Sequence, residues 1–181
     1  MKLQKENTHT VRVFDNILPD DLCSELIRSF ESDPVGQEKI NMNFKPSFTQ
    51  YNVNQQRPHL VKTLVEYTQK AYGNYAMEVK NRHLPRLKQL EEFRIKRYLP
   101  GGEERFDEHV DVTDFISSKR ALSFLFYLNN NDGDTYFPKE ELYFRPRTGK
   151  VLVFPPTWEH PHAGMAPSKT KYIMSTYIHY G

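Results

Sequence analysis

Apolar residues in the first half of the chain recur mostly at helical spacing. After a short alternating segment at Val11–Phe14, the sequence Pro19-Asp20-Asp21 is typical of the first turn of a helix. The apolar residues that follow it fall on one helical face: Leu22, Leu26, Ile27 and Phe30. We predict a second helix from about His59 to Tyr72, with Leu60, Leu64 and Tyr67 buried, and a short one from about Leu84 to Leu90.

The segment from residue 34 to about residue 56 shows neither helical nor strand periodicity. It is polar, with scattered aromatic residues, and we interpret it as a long loop. Loops of more than about 15 residues are uncommon in compact domains and often cover a binding site. The segment is therefore a candidate lid, and the sequence leaves open whether it is an ordered one.

From Phe93 onward the pattern changes to short alternating segments separated by turn residues such as Asn129–Gly133 and Arg147–Lys150. The predicted strands are 93–97, Ala121–Leu128, Thr135–Phe137, Leu142–Phe144, Val151–Phe154 and Tyr172–Ile178. Such a series is typical of a double-sheet architecture such as a jelly roll. We predict an α+β fold in one domain spanning 1–181, with helical support at about 15–90 packed on one sheet of a β core at about 91–180.

Composition excludes several classes of protein without identifying a function. The 181 residues include 13% aromatic residues, too many for a disordered chain. No apolar run is long enough to span a membrane, and Met1–Asn7 does not resemble a secretory signal. The single cysteine, Cys23, excludes an internal disulfide, so we expect a cytoplasmic protein. A net charge of +2 gives no reason to expect a nucleic-acid partner.

Two histidine motifs supply candidate metal ligands. In His109-Val110-Asp111 the two ionisable side chains are two residues apart, so an extended backbone points both to the same side. His160-Pro161-His162 follows a predicted strand. Two histidines and one carboxylate form the triad that binds Fe(II) in non-haem oxygenases. An isolated H-x-D tripeptide is also common by chance, and most histidines in soluble domains have no metal.

The surrounding motifs are more specific. They are Ile95–Gly102, Phe126–Asn129, Gly133–Phe137, Gly149–Phe154, His162-Ala163-Gly164 and Lys171. In order and spacing they resemble the Fe(II)/2-oxoglutarate dioxygenases, specifically the prolyl 4-hydroxylase-like branch. The resemblance covers roughly Glu91 to His179, with a weaker similarity over Phe14–Phe30.

This resemblance implies a double-stranded β-helix that holds iron through His109, Asp111 and His162. His160 is the alternative third ligand, but it lacks the small residue and glycine that follow the ligand in the family. Lys171 would pair with the far carboxylate of 2-oxoglutarate, assisted by the hydroxyls of Tyr127 and Tyr98. The implied cofactor is Fe(II) and the implied cosubstrates are 2-oxoglutarate and O2, with ascorbate as a candidate reductant.

The resemblance also implies a peptide-binding groove near the metal. It would be lined by Arg120, Glu91, His179 and Tyr177, where Tyr177 replaces a tryptophan of related enzymes and Glu92 competes with Glu91 for its role. The expected partner is a peptide or protein that contains proline. The alternatives are the same chemistry on another side chain or a free small molecule, a metal-dependent hydrolase, and a non-catalytic binding module. The arginine-rich tail of the nucleic-acid-dealkylating enzymes is missing, because no arginine follows Arg147.

Overall fold

A computed structural model describes residues 10–42 and 46–180. Their strands form two antiparallel sheets. The larger sheet has seven strands in the order β1-β9-β6-β11-β4-β3-β2. Its strands are β1 (Arg12–Phe14), β2 (Gln37–Asn41), β3 (Ser47–Asn52), β4 (Arg94–Tyr98), β6 (Arg120–Tyr127), β9 (Val151–Phe154) and β11 (Lys171–His179).

The smaller sheet has four strands in the order β5-β10-β7-β8. They are β5 (Phe106–His109), β7 (Thr135–Phe137), β8 (Leu142–Phe144) and β10 (His162–Gly164). Buried side chains from both sheets form one apolar cluster, which includes Tyr98, Phe137 and Phe154. The two sheets therefore pack face to face as a jelly roll.

The helices cover the opposite face of the larger sheet. They are α1 (Asp20–Glu31), α2 (Val53–Gln56) and α3 (Pro58–Val79), and single 3-10 turns occur at Pro34–Gly36 and Ser117–Lys119. Their buried residues share a second cluster with strand residues of the larger sheet. The predicted α+β class, with a jelly-roll core and helices on one sheet, is confirmed.

Helix α3 continues beyond the predicted end at Tyr72. Its last turns bury Tyr75, whose hydroxyl donates a hydrogen bond to the Thr10 carbonyl at 2.8 Å. The helix ends where Lys80 adopts the left-handed conformation. No helix among the described residues is both long and apolar enough to cross a membrane.

The predicted loop at 34–56 is wrong, although residues 43–45 lie outside the described part, as do Met1–Asn7. Strands β2 and β3 form a hairpin here, and β3 also pairs with β4. Phe48 packs in the cluster between the sheets, while Tyr51 packs in the cluster beneath the helices. A strand buried on both faces lacks the apolar–polar alternation that reveals a half-buried strand.

The predicted helix at Leu84–Leu90 is also wrong. This segment forms turns and one isolated bridge between Leu90 and Ile178. The end of this segment bonds to the larger sheet instead, because the Gln89 carbonyl accepts a hydrogen bond from the backbone N–H of His179 at 3.1 Å. The leucines of this segment still pack on the core, so their regular spacing reflects their burial and does not indicate a helix.

Candidate metal centre and active site

Two neighbouring strands of the smaller sheet bring the candidate ligands together. β10 pairs with β5 so that His162 lies opposite His109. Asp111 follows β5, and its backbone N–H donates to the Pro156 carbonyl at 3.1 Å. One ligand atom from each of His109, Asp111 and His162 lies within 4.8 Å of the others.

Hydrogen bonds orient both imidazole rings. The Nδ1 atom of His109 lies 2.8 Å from the Asp107 carbonyl, and that of His162 lies 3.1 Å from the His160 carbonyl. A carbonyl only accepts, so Nδ1 is the nitrogen that carries the proton in the neutral form of each ring, and Nε2 is then the unprotonated one. Backbone bonds of this kind fix the ring that binds a metal.

The Nε2 atoms face the carboxylate of Asp111. They lie 3.4 Å (His109) and 3.7 Å (His162) from its two oxygens. Burial lowers the pKa of His162 to about 4, so this ring is neutral near neutral pH. Burial also acts to raise the pKa of Asp111, but His109, His162 and Lys96 outweigh it and hold that pKa at about 2. Three electron-pair donors with one net negative charge fit a divalent cation.

The alternative ligand, His160, is engaged elsewhere. Its Nε2 lies 2.7 Å from the Thr10 hydroxyl, and its Nδ1 lies 3.0 Å from a carboxylate oxygen of Glu140. Both ring nitrogens therefore have partners away from Asp111. Its backbone carbonyl instead orients His162.

A small cavity of about 40 Å³ lies between the sheets and contains the three candidate ligands in its wall. Alternate residues of β11 line it from one side, namely Lys171, Ile173, Ser175 and Tyr177. Lys171 is 2% exposed, and its ammonium donates to the Gly133 carbonyl at 2.6 Å and lies 5.2 Å from the centre of the Tyr98 ring. Burial lowers the pKa of Lys171 to about 8.

The two predicted tyrosines occupy different positions. Tyr98 lines the cavity, but Tyr127 lies behind it and donates a hydrogen bond to the Thr135 hydroxyl at 2.8 Å. Thr135 itself lines the cavity. Sequence analysis missed this residue, although it lies within the Gly133–Phe137 motif.

A wider groove of about 340 Å³ opens outward from the ligands. In its wall Arg120 donates to both carboxylate oxygens of Glu91, at 2.8 and 3.0 Å, and to the Asp111 carbonyl at 2.9 Å. Its guanidinium carbon lies 4.1 Å from the centre of the Tyr177 ring. His179 is buried behind the groove, where its Nε2 lies 2.8 Å from Glu91.

These contacts bring together the four residues predicted for the groove. Burial acts to raise the pKa of Glu91, but its bonds with Arg120 and His179 outweigh burial and lower that pKa. The competing residue Glu92 instead accepts hydrogen bonds from Arg94 and Asn52.

Lys96 is a second residue that sequence analysis missed. It lies on β4 and lines both the cavity and the groove. Burial lowers the pKa of Lys96, and Asp111 opposes that shift. By contrast Arg97, its neighbour on β4, points to the helical side and pairs with Glu31 at 3.0 Å.

Comparisons with known proteins agree with this geometry. Residues 93–179 match the model of the 2OG-Fe(II) oxygenase superfamily. A protein of Acanthamoeba polyphaga mimivirus named "Putative prolyl 4-hydroxylase" is 39% identical over 95 residues, which cover 41% of this chain. That match spans only 38% of the mimivirus protein's length.

Solved structures share the fold over nearly the whole chain. The collagen prolyl hydroxylase of Paramecium bursaria Chlorella virus-1, solved with 2-oxoglutarate, has a TM-score of 0.70 at 19% identity and covers 95% of this chain and 97% of its own. A prolyl-4-hydroxylase of Pseudomonas putida has a TM-score of 0.74 at 17% identity, with coverages of 96% and 94%. The segment that matches the model of the 2OG-Fe(II) oxygenase superfamily, residues 93–179, is thus also the segment that carries the three candidate ligands.

Proposed function

We propose that this protein is an Fe(II)- and 2-oxoglutarate-dependent hydroxylase that acts on prolyl residues of a peptide or protein and releases succinate and CO2. One observation carries the proposal. A single cavity has the His109, Asp111 and His162 donors in one part of its wall and the buried ammonium of Lys171 in another. A metal-dependent hydrolase would need the donors but not the lysine.

The three donors would hold the ferrous ion. When bound, iron supplies the activation of O2 that is coupled to oxidative decarboxylation of 2-oxoglutarate and to C–H hydroxylation. The chain supplies the orientation of the ligands. Backbone carbonyls fix both histidine rings, and the Pro156 carbonyl fixes the backbone at Asp111.

Lys171 would bind the far carboxylate of 2-oxoglutarate. Among the residues that the structure describes, the buried ammonium has one carbonyl as its acceptor, so it gains from a charged partner, and a desolvated carboxylate needs such a partner equally. Thr135 would assist directly, because its oxygen accepts from Tyr127 and its own hydroxyl hydrogen is left to donate into the cavity. Tyr127 would then act through Thr135.

The groove would bind the substrate peptide. Arg120 and Tyr177 line it beside the candidate ligands, and Glu91 holds the guanidinium in place. A prolyl substrate is supported by the names of the structural relatives, one of which, from Trichoplax adhaerens, was solved with a hypoxia-inducible-factor peptide (TM-score 0.73, 14% identity). Use of ascorbate as reductant and a cytoplasmic location are parts of this proposal that rest on family resemblance and cysteine content.

The test is formation of succinate that requires both Fe(II) and 2-oxoglutarate, together with mass spectrometry of proline-containing peptides. A gain of about 16 Da on proline supports the proposal. A gain on another residue supports the alternative substrate class. If the purified protein binds Fe(II) and peptide but forms no succinate, it is a binding module and the proposal is wrong.

A further inference from the structure

Lys96 lies where the cavity meets the groove. It occupies the middle of β4, opposite Ile173 of β11 and Gln50 of β3. Residues two apart on a strand share a face, so Lys96 points to the same side as Tyr98. Both cavity and groove include it in their walls, as they include His109 and Asp111.

Aromatic rings surround the end of this side chain. The Lys96 ammonium lies 5.2 Å from the centre of the Phe48 ring and 5.9 Å from that of Phe106. It makes no hydrogen bond or ion pair with any residue in the described ranges 10–42 and 46–180. The two rings attract the ammonium but offer it no oxygen or nitrogen acceptor, so its N–H groups are left for another partner.

The other cationic side chains that line the groove have carboxylate partners. Arg94 pairs with Glu92 at 2.9 Å, and Arg120 pairs with Glu91 at 2.8 Å. Lys96 is therefore the cation of the described groove wall that has no carboxylate within bonding distance. The nearby carboxylate of Asp111 belongs to the candidate metal site, where a cation would take its charge.

We propose that Lys96 binds a carboxylate of the substrate that lies within one or two residues of the reacting proline. This inference rests on the proposed function. Lys96 lies next to the candidate metal ligands, so a carboxylate that it binds must be close to the reacting proline. Each extended residue spans about 3.3 Å, which limits the separation to one or two residues. The carboxylate has two possible sources: the side chain of Asp or Glu beside the proline, or the chain terminus of a substrate that ends in proline. The far carboxylate of 2-oxoglutarate is not the partner of Lys96, because we assign that carboxylate to Lys171, whose side chain is more deeply buried.

Two pairs of synthetic peptides test the proposal. In one pair an internal proline is flanked by Asp or by Asn, and in the other a final proline carries a free carboxylate or an amide. Binding is measured by calorimetry with the protein loaded with Mn(II) and 2-oxoglutarate, so no turnover is needed. The variants are K96M, K96R and, as a matched control, K70M on the exposed side of α3.

We expect the wild-type protein to prefer the charged member of one pair by about tenfold, which corresponds to about 1.4 kcal/mol. The pair that shows the preference identifies the source. K96M should reduce the preference below about twofold without changing the affinity for the uncharged peptide, whereas K96R and K70M should retain it.

Two results would overturn the inference. One is equal binding of charged and uncharged peptides by the wild-type protein, a measurement that does not depend on the folding of any variant. The other is a K96M protein that keeps the preference for the charged peptide, whatever its affinity for 2-oxoglutarate. Failure of the proposed function is separate, since it would appear as peptide binding without hydroxylation.

Discussion

Arg120 and Asp111 are joined through the backbone: the guanidinium Nη1 donates to the Asp111 carbonyl at 2.9 Å. The same guanidinium is held by Glu91 and packs on Tyr177. The wall of the groove and a candidate metal ligand are therefore parts of one hydrogen-bonded unit.

Arg120→Met should consequently weaken metal binding as well as peptide binding. Loss of a partner that orients a ligand typically costs about 10- to 100-fold in metal affinity. Titration with Mn(II) or Co(II) measures the effect. Arg94→Met is the matched control, because Arg94 lines the same groove but pairs with Glu92. An unchanged metal affinity in Arg120→Met would confine Arg120 to peptide binding.

Substitution of His162 and His160 should separate metal binding from stability. His162→Ala should abolish binding of Co(II), whereas His160→Ala should retain it. His160→Ala should instead lower the free energy of unfolding by about 1–3 kcal/mol, because the buried Glu140 carboxylate loses a partner. Urea unfolding and Co(II) absorbance measure the two effects. The reverse pattern would make His160 the third ligand.

Lys171→Ala should weaken 2-oxoglutarate binding by at least about tenfold, since a charge-assisted bond contributes about 1.5–3 kcal/mol. Thr135→Val should cost more than Tyr127→Phe, because only Thr135 lines the cavity. Anaerobic titration of the Fe(II) protein with 2-oxoglutarate measures both effects, with exposed Lys169→Ala as control. If Tyr127→Phe weakens 2-oxoglutarate binding more than Thr135→Val does, Tyr127 contacts the cosubstrate directly, as predicted from the sequence.

The affinity for 2-oxoglutarate should also depend on pH. Burial lowers the pKa of free Lys171 to about 8, and only the protonated amine pairs with the dianion. Affinity should therefore be greatest below pH 8 and decrease above it by up to about tenfold per unit. Lys171→Met should remove this dependence. A decrease that persists in the variant would assign it to another group.

Much of the β core could be predicted because it follows simple rules. Thr135–Phe137, Leu142–Phe144 and Val151–Phe154 occur as predicted, bounded by the turn residues that marked them. The proximity of His109 and Asp111 follows from the two-residue period of an extended chain. The family resemblance, and not a local pattern, predicted that His162 lies near these two residues. The pairing of β5 with β10 is the physical reason for that proximity.

The missed features depend on contacts between distant segments. The role of Thr135 arises because β6 places the Tyr127 hydroxyl against it, which no local pattern encodes. Lys96 alternates with apolar residues as a solvent-exposed lysine would. The contacts of its ammonium with the rings of Phe48 and Phe106, which the sequence does not reveal, show that Lys96 lies in the site and is not a solvent-exposed lysine.

The register that sets His162 opposite His109 also bears on how the protein is held together. The two residues are far apart in sequence, and β5 and β10 lie beside each other at the edge of the smaller sheet. A cation held by both rings would bind the folded chain and not the unfolded one, because unfolding separates the two histidines, and it would therefore stabilise the folded state. Supply of metal would thus affect the free energy of unfolding as well as activity.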